Sequence, residues 1–365
     1  MKYLYLFLAV FCLAGCNSGG NQQNAGDIEI YRLDRSNQQL SSALFDSVSF
    51  VTLKEDNEFF SRIDKLIIHG EYIYILDVWS VNSLLVFDNT GAFVRKIGNR
   101  GDGPGEYTRL YDFDVDFSFI YLYDYNKMRM LKYDLQGNFI NETAVPFFMQ
   151  GFKVLKNRKY LCAPANGSDK YQVVCTDSTF KIEASFLPFD NDNFADSKRT
   201  DNIFQQFGET ISYNRYISDT VYLFSTEGKL INRVLFDFGD KTVPHSLRTS
   251  FENFFSGDDY LFYWDTPVKI HRFWMAFTEG KGFQKSTFLY DTDSGEHYFY
   301  EWKLKPGQLD FTDIYRPVFA NSQYIVGYMD YQVYKSFKNK PVLDGSAVSI
   351  LEEGGYVLCF YHLKH

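Results

Sequence analysis

Cysteine, proline, tryptophan and histidine are scarce in this chain, at 5, 9, 4 and 6 of 365 residues. So few cysteines exclude a disulfide-framed scaffold, and so little proline without low-complexity tracts excludes a collagen-like or Pro-rich chain. Past the first 15 residues, no apolar run approaches the roughly 20 residues that a membrane-spanning helix needs. Positive charge is also short: 37 Lys and Arg face 46 Asp and Glu, a net charge of −9, and no Lys/Arg-dense segment offsets it. A groove that tracks nucleic-acid phosphates is therefore not expected. The histidines, at positions 69, 245, 271, 297, 362 and 365, form no HxH or HExxH pair, and no CxxC or G-x-S-x-G motif is present. Aromatic rings are abundant instead: 37 Phe, 28 Tyr and 4 Trp make up 19% of the chain. Aromatic side chains favour strands, and a charged content of 23% describes an ordinary folded surface, not a disordered chain.

Residues 1–15, MKYLYLFLAVFCLAG, combine a positive start at Lys2 with an apolar run from Leu4 to Leu13, the pattern of a secretory signal. Leu13-Ala14-Gly15-Cys16 resembles the lipobox of bacterial lipoproteins, which implies cleavage before Cys16, lipidation of its thiol and attachment to a membrane through acyl chains. Asn17 stands where the inner-membrane retention signal of such lipoproteins has Asp, so an outer-membrane location facing the periplasm or the cell surface is expected. Residues 16–27 then form a polar tether, and residues 28–365 the folded domain. Cys162, Cys175 and Cys359 remain there. Cys162 and Cys175 are read as buried free thiols, with a cross-strand bond as the alternative.

The folded part repeats. Tyr74-Ile-Leu-Asp77 followed by Leu85-Val-Phe-Asp88-Asn-Thr-Gly91-Ala-Phe93 aligns with Tyr121-Leu-Tyr-Asp124 followed by Leu131-Lys-Tyr-Asp134-Leu-Gln-Gly137-Asn-Phe139. Each unit is a strand ending in Asp, a loop, a second strand, an Asp-x-x-Gly turn and a third strand. Weaker copies follow around Lys159–Phe180, where the turn glycine is lost, around Val221–Gly228, around Phe288–Gly295, and in Tyr324–Met329 with Gly355–Tyr361. An insertion is expected within Lys241–Asp259, and short helices within Asn202–Phe207 and Ser246–Phe255. A period near about 45 residues carrying four strands is that of a propeller blade. The expected fold is all-β: a six-bladed β-propeller of four-stranded antiparallel blades, with seven blades as the alternative. A propeller ring has to close, and Ile28–Leu33 is expected to do so by pairing with Tyr356–Leu363.

The stretch Ile97-Gly-Asn-Arg-Gly-Asp-Gly-Pro-Gly-Glu-Tyr107, together with Asp124, Arg129-Met-Leu-Lys-Tyr133, Asp134 and Gly137, resembles six-bladed β-propeller lipoproteins of Bacteroides-type bacteria, which are similar to NHL-repeat propellers. The resemblance is strongest over residues 60–140. It implies a propeller fold and a cell-envelope location, and no reaction.

Four glycines in GNRGDGPGEY invite a nucleotide-loop reading, but without Gly-Lys-Ser/Thr or a following helix the segment reads as a crossover between blades, tied down by Arg100, Asp102 and Glu106. Arg100 is its best anion donor. Asp112-Phe-Asp114-Val-Asp116-Phe117 opens like a calcium loop and then has Phe at the required glycine, so strand alternation explains it: carboxylates on one face, Phe113, Val115 and Phe117 on the other. Trp79 and Tyr125 follow the Asp-ending strands of adjacent units and are expected at the same end of the ring. Trp264, Trp274 and Trp302 read as packing residues. The candidate ligand contacts are Trp79, Arg100, Tyr125 and Arg129. No cofactor and no metal site is expected, although the pattern does not exclude a divalent cation. The function expected is non-catalytic binding of a glycan, peptide or envelope-protein partner at the channel mouth. The alternative is a metal-assisted hydrolase or lyase with its site at the central channel.

Overall fold

The strand Tyr72–Asp77 is buried from Ile73 onward, and the period of two explains how. Ile73 and Ile75 pack with Val326 and Leu358, whereas Tyr74 and Leu76, pointing the other way, pack with Phe113 and Leu122. A strand covered on both faces belongs to a sheet wedged between two others. The computed structural model describes residues 28–54, 59–165, 169–189, 202–215, 217–247, 260–280, 284–302, 307, 309–310 and 313–364. The signal segment, Cys16 and the tether lie outside the described residues.

Six sheets form the blades of a β-propeller. Blade 1 runs Lys65–His69, Tyr72–Asp77, Ser83–Asp88, Phe93–Ile97, and blade 2 runs Leu110–Val115, Phe119–Asp124, Arg129–Asp134, Phe139–Ala144. Blade 3 runs Met149–Val154, Tyr160–Pro164, Tyr171–Thr176, Ile182–Pro188, and blade 4 runs Phe204–Phe207, Thr210–Asn214, Thr220–Ser225, Leu230–Asp237. Blade 5 starts with the short strands Phe262–Tyr263 and Val268–Ile270, both on Phe273–Gly280, and continues with Gln284–Asp291 and Glu296–Glu301. Blade 6 is Pro317–Ala320, Tyr324–Met329 and Val357–Leu363, completed by Phe45–Thr52 from the start of the domain. Each pair of neighbouring blades shares at least one apolar cluster, including the pair of blade 6 and blade 1, so the ring is closed.

The expected closing strand is the wrong one. Ile28–Arg32 pairs in parallel with Leu230–Asp237 on the outer edge of blade 4, Ile28 opposite Arg233 and Arg32 opposite Asp237. The chain then lays Arg35–Ser36 beside Glu296 and His297 of blade 5, forms the short helix Leu40–Leu44, and only then closes blade 6. Phe45–Thr52 runs antiparallel to Val357–Leu363, with Thr52 opposite Val357 and Phe45 opposite Leu363. Blades 4 and 5 thereby gain an outermost parallel strand beyond the expected four. Asn202–Phe207 is also not a helix: Phe204–Phe207 is a strand antiparallel to Thr210–Asn214. A 3-10 turn covers His245–Leu247, and the rest of Ser246–Phe255 lies outside the described residues. The helices Tyr331–Ser336 and Gly345–Glu352 were not anticipated. Each begins at an Asp cap, where Asp330 accepts from the Val333 N–H and Asp344 from the Ala347 N–H.

The Asp-x-x-Gly signal marks the turn between the third and fourth strands. Asp88 Oδ1 accepts from the N–H groups of Thr90 and Ala92, while Gly91, at φ +82°, donates to the Asp88 carbonyl. Asp134 with Gly137, and Ser225 with Gly228, repeat the turn. In blade 3 the place of the glycine is taken by Phe180, still at φ +64°, and its ring stacks on Tyr160 at 4.6 Å. The other repeated aspartates, Asp77 and Asp124, are fully buried caps. Asp124 accepts from the N–H groups of Thr108, Arg109, Asn126 and Lys127. Asp112 joins three blades, accepting from Lys65 Nζ at 2.7 Å and the Phe152 N–H at 2.9 Å. Asp114 takes Lys153 Nζ at 2.8 Å and the Val154 N–H. Phe117 is not on the apolar face: it lies past the strand end and is 92% exposed, while Asp116 caps that turn.

The alternation also settles the thiols. Cys162 faces the blade 2–blade 3 cluster and Cys175 the blade 3–blade 4 cluster, so they point to opposite faces of one sheet, and both are free.

Two outcomes follow from this architecture. A chain starting at Asn37 should still melt cooperatively by circular dichroism, whereas one starting at Leu53 should not, and a synthetic peptide of residues 45–54 should restore its transition. Hydrogen bonds hold the Asp88, Asp134 and Asp177 carboxyls below their ordinary value of 3.8. Their contribution to stability is therefore complete above pH 3.8 and is lost as pH falls through the lower folded values. The triple Asp→Asn variant, which keeps the turn acceptors, should show a flatter loss of melting temperature between about pH 4 and pH 2.

Candidate functional site

Within each blade the first strand runs away from the end at which the chain enters it. The loops between second and third strands and the crossovers to the next blade therefore share one end of the ring, the crossover end. All four candidate contacts are placed there, in different circumstances. Trp79 follows the buried cap Asp77 and stays 55% exposed, with the Arg109 guanidinium 5.5 Å from its ring centre. Tyr125 packs against Tyr111 at 4.9 Å and Phe148 at 5.2 Å, which is the loop-capping role. Arg100 is exposed in a two-residue parallel pairing with Glu106–Tyr107. The Arg129 guanidinium is paired with Glu142 across the outer strands of blade 2. The glycine-rich stretch is the crossover expected of it. Glu106 Oε2 accepts from the Gly103 N–H, Lys127 Nζ donates to the Gly101 carbonyl and reaches Asp102 at 3.4 Å, and Tyr133 Oη donates to the Gly105 carbonyl.

None of these four lines a cavity of about 350 Å³ that opens at the same end between blades 5, 6 and 1. Its walls come from strand ends and crossovers: Trp264 and Phe277 of blade 5, Trp302 just past that blade's last strand, Arg316 and Tyr328 of blade 6, and Arg62 in the crossover into blade 1. Trp264 and Trp302 line this cavity, and Trp302 is also packed against the cluster between blades 5 and 6, as expected from its sequence context. Trp274 is packed between blades, at 1% exposure.

The walls are held from behind. Trp302 Nε1 donates to Thr287 Oγ1 at 2.9 Å, and Thr287 donates in turn to the Ile314 carbonyl. The Trp302 ring meets Phe277 edge-on at 4.9 Å and lies 5.5 Å from Tyr315. Lys285 carries its ammonium 3.4 Å over the Trp264 ring. Arg316 donates to Asp330 Oδ2 at 3.1 Å, with its guanidinium over the rings of Tyr315 and Tyr328. Its backbone is strained: φ is +44° immediately before Pro317, where left-handed geometry is disfavoured twice over. Two carboxylates on the wall serve the protein. Asp64 accepts from the Val78 N–H and pairs with Arg62 at 2.9 Å, and burial raises its pKa. Asp265 accepts from both the backbone and the side-chain nitrogen of Asn202.

Cys162, Cys175 and Cys359 are not among the residues that line this cavity. Burial pushes the Cys162 and Cys359 thiols far up and Cys175 up to about 11. Among the described residues no group of three His, Cys, Asp or Glu side chains is placed to hold a metal ion, and no helix is long and apolar enough to cross a membrane.

A family model described as a domain of unknown function, DUF4934, matches residues 27–361, and the chain belongs to that family. Among solved structures, a Bacteroides fragilis protein named as exported is 21% identical, with a TM-score of 0.74 over 93% of this chain and 100% of that one. A DUF4221 member from Bacteroides vulgatus is 11% identical, with a TM-score of 0.52 over 88% and 97%. Both likenesses are of fold. No curated protein matches.

The thiol environments give a direct test. At pH 8 a disulfide reagent should leave Cys162, Cys175 and Cys359 unmodified in the folded protein and modify all three in denaturant, as read by intact mass.

Proposed function

We propose that this DUF4934 propeller is an exported, lipid-anchored binding module without catalytic activity, which takes a short glycan or peptide into the cavity at its crossover end. The cavity itself carries this reading. Its volume falls at the small end of the roughly 300–1,000 Å³ range of small-molecule sites, and its rings are positioned by hydrogen bonds and edge contacts before any ligand arrives. The charged groups on the wall are engaged in pairs and caps, which suits recognition better than proton transfer. The name of the exported Bacteroides fragilis protein supports an envelope location, as do the signal segment and Cys16. Trp79 and Arg100 are outer contacts for ligands longer than the cavity. Tyr125 and Arg129 serve packing and an ion pair.

A glycan and peptide array probed with the full chain should yield ligands whose affinity falls at least ten-fold, about 1.4 kcal/mol, in Trp302→Ala and Trp264→Ala. Binding should survive EDTA. Trp79→Ala should weaken only the longer ligands. Unchanged affinity in both cavity variants, or turnover of a bound glycan or peptide, overturns the reading.

A further inference from the structure

A run of rings at the crossover end starts from the cavity wall. Asp64 on that wall accepts from the Val78 N–H at 2.7 Å, and the next residue along the chain is Trp79. The Arg109 guanidinium lies against the Trp79 indole, and the Arg109 carbonyl accepts from the Tyr125 N–H at 2.9 Å. Tyr125 packs in turn on Phe148, which stands just before the first strand of blade 3. These contacts lead from the cavity over blades 1 and 2 to the edge of blade 3. Tyr125 is half-buried and supports the run, whereas Trp79 and Phe148 are 55% and 39% exposed. Exposed rings scattered singly are ordinary on a protein surface, but rings joined to one another and to a cavity mark a binding surface.

The charges on the cavity wall are compensated from within the protein. Arg62 is paired with Asp64 and Arg316 with Asp330, while Lys285 lies across the strand pair from the buried Glu279 carboxylate. Asp265 accepts from Asn202 and from the Thr266 N–H. An ionised ligand would therefore lose its hydration without finding an unmatched counter-charge. A wholly apolar ligand fails for the opposite reason. A guanidinium has five N–H donors, the Arg316–Asp330 contact uses one of its terminal nitrogens, and donors cut off from water without a partner are costly. The walls suit an uncharged body that has apolar faces for the rings and many oxygen acceptors for the donors.

Resting on the binding reading above, we infer that the ligand is an uncharged oligosaccharide longer than the cavity, with its end units in the cavity and the following units laid over Trp79 and Phe148. A pyranose carries an apolar C–H face for indole and phenyl rings, and several hydroxyls that each accept as well as donate. A Pro-rich peptide also suits aromatic grooves, but it brings one main-chain carbonyl per residue to a cavity walled by Arg62, Lys285 and Arg316.

The test is calorimetric titration of the full chain with cellohexaose, maltohexaose and mannohexaose, the matching disaccharides, hexagalacturonate and a Pro-rich decapeptide. The result expected is binding of at least one neutral hexaose, with its disaccharide and hexagalacturonate each at least ten-fold weaker. Trp79→Ala and Phe148→Ala should each weaken the hexaose at least ten-fold and leave the disaccharide unchanged, whereas Trp302→Ala should weaken both. Melting temperatures are measured for every variant, and Trp79→Ala stands as the test of the ring run if Phe148→Ala, which also loses its contact with Tyr125, does not fold. A hexaose and disaccharide of equal affinity, both lost in Trp302→Ala and untouched by Trp79→Ala, overturn the ring run and keep the cavity as the binding site. Binding of hexagalacturonate or of the peptide in place of the neutral hexaoses, with loss in Trp302→Ala, overturns the inferred ligand class and keeps the binding module. Hexaose binding that none of the three substitutions changes overturns both. No binding of any neutral hexaose overturns the inference.

Discussion

Everything in this molecule hangs on one strand pairing, Phe45–Thr52 against Val357–Leu363. A propeller has as many blade interfaces as blades, and each is an apolar cluster fed from both sides. Five of the interfaces form between blades adjacent in sequence. The sixth joins the last blade to the first, so Val326 and Leu358 meet Ile73 and Ile75 only after the whole chain has been laid around the ring. The closing strand completes blade 6 from the other end of the chain, and the pairing continues beyond it: the Leu53 N–H donates to the Tyr356 carbonyl, and Tyr356 Oη donates to the Ser61 carbonyl. Tyr356 and Ser61 also line the cavity. The cavity is thus built on the seam, and whatever loosens the closure loosens the cavity with it.

The repeat was legible because its physics is local. An Asp that bonds its own downstream N–H groups and a Gly that takes positive φ leave a four-residue trace in sequence, and burial on both strand faces leaves runs such as IYIL and LYD. From these the blades, their number and the place of the long insertion can be read, the last within the crossover from Asp237 to Phe262. Closure was not legible because its signal is inverted. Ile28–Arg32 looks like a core strand, yet Ile28 and Ile30 are 41% and 57% exposed. The real closing strand carries Asp46, Ser47 and Ser49 on a face that an outermost strand can leave to water. Apolar content reports how covered a strand is, and the last strand of a blade is the least covered.

The site was hidden for a related reason. The sequence match is cleanest in blades 1 and 2, where strand and loop lengths repeat, and the cavity lies where the pattern fails: a broken first strand in blade 5, a crossover carrying Trp302, and two helices inside blade 6. Function breaks local rules more often than packing does. Trp79 and Tyr125 were found because they follow the regular Asp, and regularity is a mark of scaffold. Tyr125 is accordingly half-buried against Tyr111 and Phe148.

Two residues with left-handed backbone separate strain that packing explains from strain that it does not. Phe180 stands where the other blades use glycine, and the cost, about 1–3 kcal/mol, is offset by a side chain that is 1% exposed and stacked on Tyr160. The geometry there is what the turn demands of any residue. At Arg316 no turn demands it. The following proline pushes the residue toward extended backbone, and the side chain is 28% exposed on a cavity wall and not buried in a core. What holds it is the ion pair to Asp330, which also caps Tyr331–Ser336. The helix Tyr331–Ser336, its capping carboxylate and a strained arginine thus form one device. Its result is a guanidinium fixed at the mouth of the ring, next to an indole fixed by Thr287. Packing alone would be better served by an extended residue at this position.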